Sequence, residues 1–412
     1  MTLDIESMIA PSILHFRKLR FKAGELYLKN VLQCGQAFRW IFHEKLGQYS
    51  TTMRVDDRFS IIVVKQEQED CIEYAAVGNN ECRALGDFLA RYFRLEVPLG
   101  SLYENEWLLR DSKFINKSPS GVRILSQDPW ETLVSYICSS NNNISRITKM
   151  CHALCTEFGN LIGNYDGVDY YSFPTSNEIA QRASEEALRV LGFGYRAKYI
   201  IATARKMALE RLQMSDSECL QSWRDHLQYE QVREKIMGFS GVGPKVADCV
   251  CLSGLEMDDV VPVDVHIARI ALRDYKFNAK KQDVEELQVR YRELPITRKK
   301  VNYELDLIRS MFKERWGSYA GWAQGIVFAQ EVGKTSGATS EGFTIKRKLE
   351  FDIKVEVDEE ELSIKKKTFE TVTAGPIIKK ELSQATPFEE EVEYSITGRP
   401  RRKSTKNIGY EF

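Results

Sequence analysis

An α+β fold is predicted for this chain, and three features of the sequence predict it. Between residues 10 and about 110, alternating or short apolar runs recur at 27–32, 38–42, 49–53 and 59–64, with polar breaks between them. That is the pattern of an antiparallel sheet. From about 120 to 332 the apolar spacing becomes helical. From Gly333 to Phe412 charged and small polar residues dominate, and such a stretch cannot bury enough surface to offset its ordering entropy. The expected organisation is a β-rich N-terminal domain over 10–119, a helical domain over 120–332 and a disordered charged tail over 333–412.

Taken in order, the sheet is expected to precede a helix at 81–93. Further helices are expected at 129–138, 147–158 and 178–191, the last followed by Gly192, where a helix-ending glycine belongs. Two more frame the richest motif of the chain, one running from Lys245 to about Leu255 and one beginning at Val265.

Composition narrows the function classes. With 412 residues, 43% apolar and 11% aromatic, the chain has ample material for a globular core. No apolar run approaches the roughly 18 to 20 residues of a membrane helix. The start, Met1-Thr-Leu-Asp-Ile-Glu6, is acidic, unlike a secretory or transit segment, so an intracellular protein is expected. The nine cysteines include Cys151-x-x-x-Cys155 and Cys249-x-Cys251, spacings that fit neither a zinc knuckle nor an iron–sulfur run. They are expected as reduced, mostly buried thiols. A net charge of −1 means any nucleic-acid-binding field is local; Arg196 with Lys198, Arg205 with Lys206, and Arg298-Lys-Lys300 are the candidate clusters. In the tail, Gly398-Arg-Pro-Arg-Arg-Lys403 fits a nuclear address, and Ile353-Lys-Val-Glu356 and Ile378-Lys-Lys-Glu381 fit the apolar–Lys–x–Glu pattern of small-modifier attachment.

The motif that carries chemistry is Met237-Gly-Phe-Ser-Gly-Val-Gly-Pro-Lys-Val-Ala-Asp-Cys249, followed by Val261-Pro-Val-Asp-Val-His266. Gly241 and Gly243 allow positive φ and close approach of a phosphate to the backbone. Pro244 suits the first helical position. Lys245 then falls in the first turn, at the positive end of the helix dipole, where a merely solvated lysine gains nothing. A helix from Lys245 to Leu255 runs ~16 Å, and the extended chain after it is long enough to bring Asp264 back to the lysine. Asp264 is also placed as the N-cap of the next helix. The residues alone therefore leave two readings open: an amine nucleophile with a carboxylate beside it, or a phosphate-gripping hairpin followed by an ordinary cap.

Gly241-Val-Gly-Pro-Lys-Val-Ala-Asp248 with Val261-Pro-Val-Asp264 resembles the helix-hairpin-helix glycosylases that excise damaged bases, the eukaryotic 8-oxoguanine DNA glycosylase/AP lyases above all. The likeness spans about residues 10 to 332 and includes Gly35-Gln-Ala-Phe-Arg-Trp40, Cys138-Ser-Ser-Asn-Asn-Asn-Ile-Ser-Arg146, Leu191-Gly-Phe-Gly-Tyr-Arg196 and Tyr319-Ala-Gly-Trp-Ala-Gln324. It implies an N-terminal antiparallel domain like the TATA-binding protein, packed on two helical subdomains. The implied activity is removal of 8-oxoguanine, and of related oxidised purines such as formamidopyrimidine-guanine, opposite cytosine in double-stranded DNA. A glycosylase for another oxidised base, or a non-catalytic damaged-DNA binding module, are the alternatives.

By the same resemblance, Lys245 attacks C1′ and forms a Schiff base that permits β-elimination, with Asp264 stabilising positive charge on the sugar. Cys249 and Phe328 sandwich the flipped base, Gln324 bonds its pairing edge, and Pro262 lines the pocket. The Gly35 carbonyl reads N7–H, which the lesion has and guanine lacks. Asn141, Arg146 and Arg196 hold the orphaned cytosine, Tyr195 wedges the duplex, and His266 lies near a phosphate. Gly241, Gly243 and Lys245 contact phosphate through the hairpin, whose carbonyls at Met237, Phe239 and Val242 ligate a structural cation. No cofactor or iron–sulfur cluster is implied for the chemistry. The expected partners are duplex DNA and downstream repair proteins, for a monomer in the nucleus with a mitochondrial form conceivable. Ser240 and Pro244 depart from the family pattern, and Glu331 stands where an aspartate near the histidine is usual.

Overall fold

The computed structural model describes residues 14–78, 84–115 and 121–336, with side chains to 331. Five strands form the N-terminal sheet: β1 (Arg17–Arg20), β2 (Ile41–His43), β3 (Gln48–Val55), β4 (Arg58–Gln68) and β5 (Cys71–Ala76). They are ordered β1-β5-β4-β3-β2, every pair antiparallel. The β3–β4 turn is closed by Asp56 and Asp57, both at positive φ, the backbone a two-residue hairpin demands. Residues 61–64 of β4 are all buried, so both faces of the sheet are covered. Ile62 and Val64 face a core shared with Leu85 and Leu89 of the helix Ala84–Tyr92. The opposite face carries Ser50 and Thr52, which meet a second hairpin, β6 (Leu161–Tyr165) and β7 (Val168–Tyr171). There the Thr52 hydroxyl donates to the Tyr171 carbonyl at 2.7 Å, and Ser50 bonds the Tyr170 hydroxyl.

The helical part holds two cores. One gathers the helices Pro129–Ser139, Ile144–Phe158, Arg196–Glu210, Tyr229–Met237 and Pro244–Ser253. The other gathers Val263, Ile267, Phe312, Trp316 and Trp322 from the C-terminal helices, together with Leu99, Leu102, Trp107 and Phe114. The segment around 99–114, read from sequence with the N-terminal domain, thus buries its large side chains against the far end of the chain. Arg39 and Glu131 lock the sheet side to the helix Pro129–Ser139 through two bonds of 2.8 and 2.6 Å.

Several sequence expectations change. Residues 27–32, read as strand, contain the helix Leu28–Leu32, whose buried Leu28, Val31 and Leu32 follow helical spacing. Of the 38–42 run only Ile41 and Phe42 are strand, in Ile41–His43. The 178–191 helix is two, Ser176–Arg182 and Glu185–Val190, because Ser184 caps a new start by accepting from Ala187 N–H. The helix Ala320–Ser336 carries the helical part four residues past its expected end at 332; the tail's nuclear-address and modifier patterns, and its expected disorder beyond 336, fall outside the described residues. By its contacts the chain divides into 1–341 and 342–412.

Candidate active site

The predicted hairpin joins Tyr229–Met237 to Pro244–Ser253. Gly241 is required there twice over. Its φ is +77°, and a Cβ would lie 2.7 Å from the Tyr199 ring. Gly243 departs from expectation: its backbone is extended, with φ −104°. A Cβ there would meet nothing within 4 Å, so what it offers a phosphate is room. The hairpin carbonyls turn towards the protein. Lys206 Nζ donates to Gly238 O at 3.0 Å and Thr203 Oγ1 to Ser240 O at 3.1 Å. Lys300 Nζ donates to Met237 O at 2.6 Å and Val242 O at 3.1 Å. Among the described residues, the amides of Gly241, Gly243 and Lys245 donate to no protein acceptor. Outward amides at a helix start are what an anion needs.

Lys245 sits on the second helical residue and is half-buried. Its Nζ lies 5.1 Å from the centre of the Tyr136 ring. It lines a cavity of about 100 Å³ together with Gly35, Cys249, Pro262, Asp264, Gln324 and Phe328. All residues expected to hold the base, and both expected to act on the sugar, therefore share one hollow. A larger cleft of about 540 Å³, between the sheet side and the helix Asp216–His226, contains none of them.

Each wall has a physical cause. Asp264 caps Val265–Tyr275, with its Oδ1 accepting from His266 and Ile267 N–H at 2.9 Å each. Both cap bonds use one oxygen, so the cap leaves the second to other work. The cap reading and the catalytic reading are thus compatible in one carboxylate. Burial pushes the Cys249 thiol up, partly opposed by Lys245, leaving a neutral wall. Gln324 is buried, yet no hydrogen bond engages its side chain among the described residues. Its amide atoms are not among the fully buried unpartnered ones, and Gln324 lines the cavity, so the amide is available to a ligand there. Gly35 holds φ +86° beside Ile144. Gln36 pins that loop by donating to Arg123 O at 2.8 Å and accepting from Leu125 N–H at 3.1 Å.

His266 and Phe328 pack edge to face at 5.8 Å. The His266 Nδ1 is buried without a partner. Glu331 forms an ion pair with Arg273 at 3.1 Å.

The residues expected to meet the opposite base are differently employed. Arg146 is exposed and donates to Gly192 O at 3.0 Å. Arg196 is only 2% exposed. It donates to the carbonyls of Ser140 and Asn141 and lies 4.4 Å over the Tyr195 ring. Tyr195 OH also donates to Ser140 O, at 3.0 Å. Asn141, at φ +49°, is exposed.

Sequence reasoning missed Tyr136, Gln36, Lys206 and Lys300. The last two were visible only as members of basic clusters; their carbonyl targets are set by tertiary packing. Among the described residues no group of three or more His, Cys, Asp or Glu is placed to hold a metal ion, and no helix is long and apolar enough to cross a membrane.

A five-stranded sheet, two helical cores and a lysine-bearing hairpin over a small cavity define a helix-hairpin-helix base-excision protein. Family models agree: the 8-oxoguanine DNA glycosylase N-terminal domain matches residues 18–133, and the HhH-GPD superfamily of base excision DNA repair proteins matches 134–293. The Saccharomyces cerevisiae N-glycosylase/DNA lyase is 56% identical over 340 residues, covering 81% of this chain and 90% of the relative. The Arabidopsis thaliana N-glycosylase/DNA lyase OGG1 is 31% identical over 320 residues, 76% and 80% of the two chains. The solved structure of the Clostridium acetobutylicum 8-oxoguanine glycosylase/lyase, in complex with double-stranded DNA containing cytosine opposite 8-oxoguanine, has a TM-score of 0.59. It is 26% identical, over 78% of this chain and 98% of that one. The chain belongs to the N-glycosylase/DNA lyase family.

Proposed function

We propose that this protein excises 8-oxoguanine, and related oxidised purines, opposite cytosine in duplex DNA and then cleaves the strand by β-elimination. The observation that carries this reading is the convergence of Lys245, Asp264, Cys249, Gln324, Phe328 and Gly35 on one cavity, supported by the names of the relatives. With about 100 Å³ of room, the cavity is smaller than the ~150 Å³ that admits benzene. A flipped purine must therefore displace its walls, most simply Phe328.

The chemistry follows from the residue types. The Lys245 amine, in its neutral form, gives its lone pair to C1′ while the base departs with the electrons of its glycosidic bond and takes up a proton. The proton of the resulting ammonium passes to O4′ as the C1′–O4′ bond breaks, and the nitrogen lone pair forms a protonated imine with C1′. That imine acidifies C2′, and loss of the C2′ proton expels the 3′ phosphate. Asp264 stabilises the positive charge that develops on the sugar. Gln324 meets the pairing edge of the base, and the Gly35 carbonyl accepts from N7–H of the lesion. Guanine presents a lone pair there, a missing-partner contrast worth ~1–3 kcal/mol. We assign the free hairpin amides to phosphate, and Asn141, Arg146, Tyr195 and Arg196 to the opposite strand. Action as a monomer in the nucleus is part of the same proposal.

Incision of an oligonucleotide panel carrying different lesions and opposite bases tests the reading. Fastest incision of 8-oxoguanine opposite cytosine is expected; preference for an oxidised pyrimidine would assign the protein another lesion.

A further inference from the structure

The three carbonyls expected to hold a cation at the hairpin do not fit a vacant metal site. Met237 O and Val242 O each accept from Lys300 Nζ, at 2.6 and 3.1 Å, and Phe239 O accepts from Val242 N–H at 3.4 Å. We propose that the Lys300 ammonium is the resident cation of this hairpin, replacing a metal ion, and that its remaining N–H serves a DNA phosphate at the hairpin mouth.

The placement is built. Lys300 ends the short helix Pro295–Lys300, and the start of that helix is fixed by Glu234, which accepts from Ile296 and Thr297 N–H at 2.8 and 2.7 Å. Glu234 belongs to the helix Tyr229–Met237 that leads into the hairpin. One segment is thus tied to one hairpin at both ends. An ammonium has three donors and no acceptor; two are used on carbonyls, and the Lys300 side chain remains exposed enough to be reached. Burial and neighbouring Lys206 push its ionisation down, while Glu234 opposes them. Two carbonyl bonds favour the charged form against that cost. A covalently tethered cation cannot be removed by a chelator or exchanged with bulk salt.

Exchange of the salt cation tests the proposal in two independent ways. The first uses free protein, and so does not depend on the DNA reading. The melting temperature of the wild-type chain should be the same in potassium, calcium and tetramethylammonium chloride at fixed ionic strength. That of Lys300→Ala should rise when potassium or calcium is added, because the carbonyls are vacated. Saturable stabilisation of the wild type by either ion overturns the proposal even if the alanine variant does not fold. The second reads binding of a duplex bearing a tetrahydrofuran abasic analogue opposite cytosine. Lys300→Ala should bind about tenfold more weakly in tetramethylammonium chloride, with a salt slope shallower by about one, and Lys300→Arg should retain most of the affinity. Unchanged affinity and slope in Lys300→Ala would remove the phosphate role. The phosphate half rests on the proposed function; wild-type failure to bind this duplex would sink that function and the phosphate half with it, while the melting experiment still decides the cation.

Discussion

The groups assigned to the damaged nucleotide and those assigned to its partner strand differ in how they are engaged in the DNA-free protein. Around the cavity, Gln324 carries no side-chain bond among the described residues, Asp264 spends one oxygen on its cap, and the hairpin amides point outward unbonded. At the 140–146 loop some donors are already engaged: Arg196 and Tyr195 hold the carbonyls of Ser140 and Asn141, and Arg146 holds Gly192 through one of its N–H groups. The polar groups of the first region are free for a ligand, although its cavity of about 100 Å³ must widen to admit a purine. In the second, any of these bonds redirected to an orphaned base is a protein bond exchanged for a DNA bond. The two readings therefore rearrange the protein differently, one by moving a pocket wall and the other by exchanging hydrogen bonds.

The largest effect expected from breaking this contrast is at the cavity. Lys245→Gln should reduce base release and strand cleavage by at least about a thousandfold, measured in single-turnover assays. Asp264→Asn should cost about a hundredfold or more in the same assay. Asparagine caps a helix about as well, so its melting temperature should stay close to wild type. A matching loss of stability would reduce Asp264 to a cap.

At the other end Arg196→Ala should act first on the fold. It strips donors from two carbonyls and leaves a void, at about 2 kcal/mol, read by denaturant unfolding. A smaller term sharpens the picture of the sheet junction. Burial, aided by Arg39 and opposed by Glu131, lowers the His152 pKa to about 4. Its neutral form is favoured in the folded state, so this contribution is complete above the ordinary value near 6.5 and is lost as pH falls towards 4. Between pH 7 and 5 that amounts to about 2 kcal/mol, and His152→Gln should flatten that part of the stability profile. The smallest stability effect is expected at exposed Arg146: Arg146→Ala should leave unfolding within about 0.5 kcal/mol of wild type yet lower the ratio of rates opposite cytosine and adenine. An unchanged ratio would remove Arg146 from base reading.

The catalytic half of the site was legible because its signal is local: glycine, proline and lysine act within one turn, and Asp264 returns within the reach of the chain. Other parts depend on contacts no spacing reveals. The run at 27–32 is too short for periodicity to separate strand from helix, and packing of Leu28, Val31 and Leu32 made it helical. The β6–β7 hairpin did carry a signal, Asp166-Gly167, both at positive φ, the favoured pair for a two-residue turn. Lys300 read as part of a basic cluster and Arg196 as a contact to the orphaned base, and only the fold turned them onto backbone carbonyls.

The central claim is that one lysine amine reaches the sugar. Borohydride reduction during turnover of an 8-oxoguanine–cytosine duplex, followed by proteolysis and mass spectrometry of the trapped complex, tests it most directly. The expected result is a reduced sugar adduct on Lys245. An adduct on another residue, or undiminished trapping by Lys245→Gln, would contradict it.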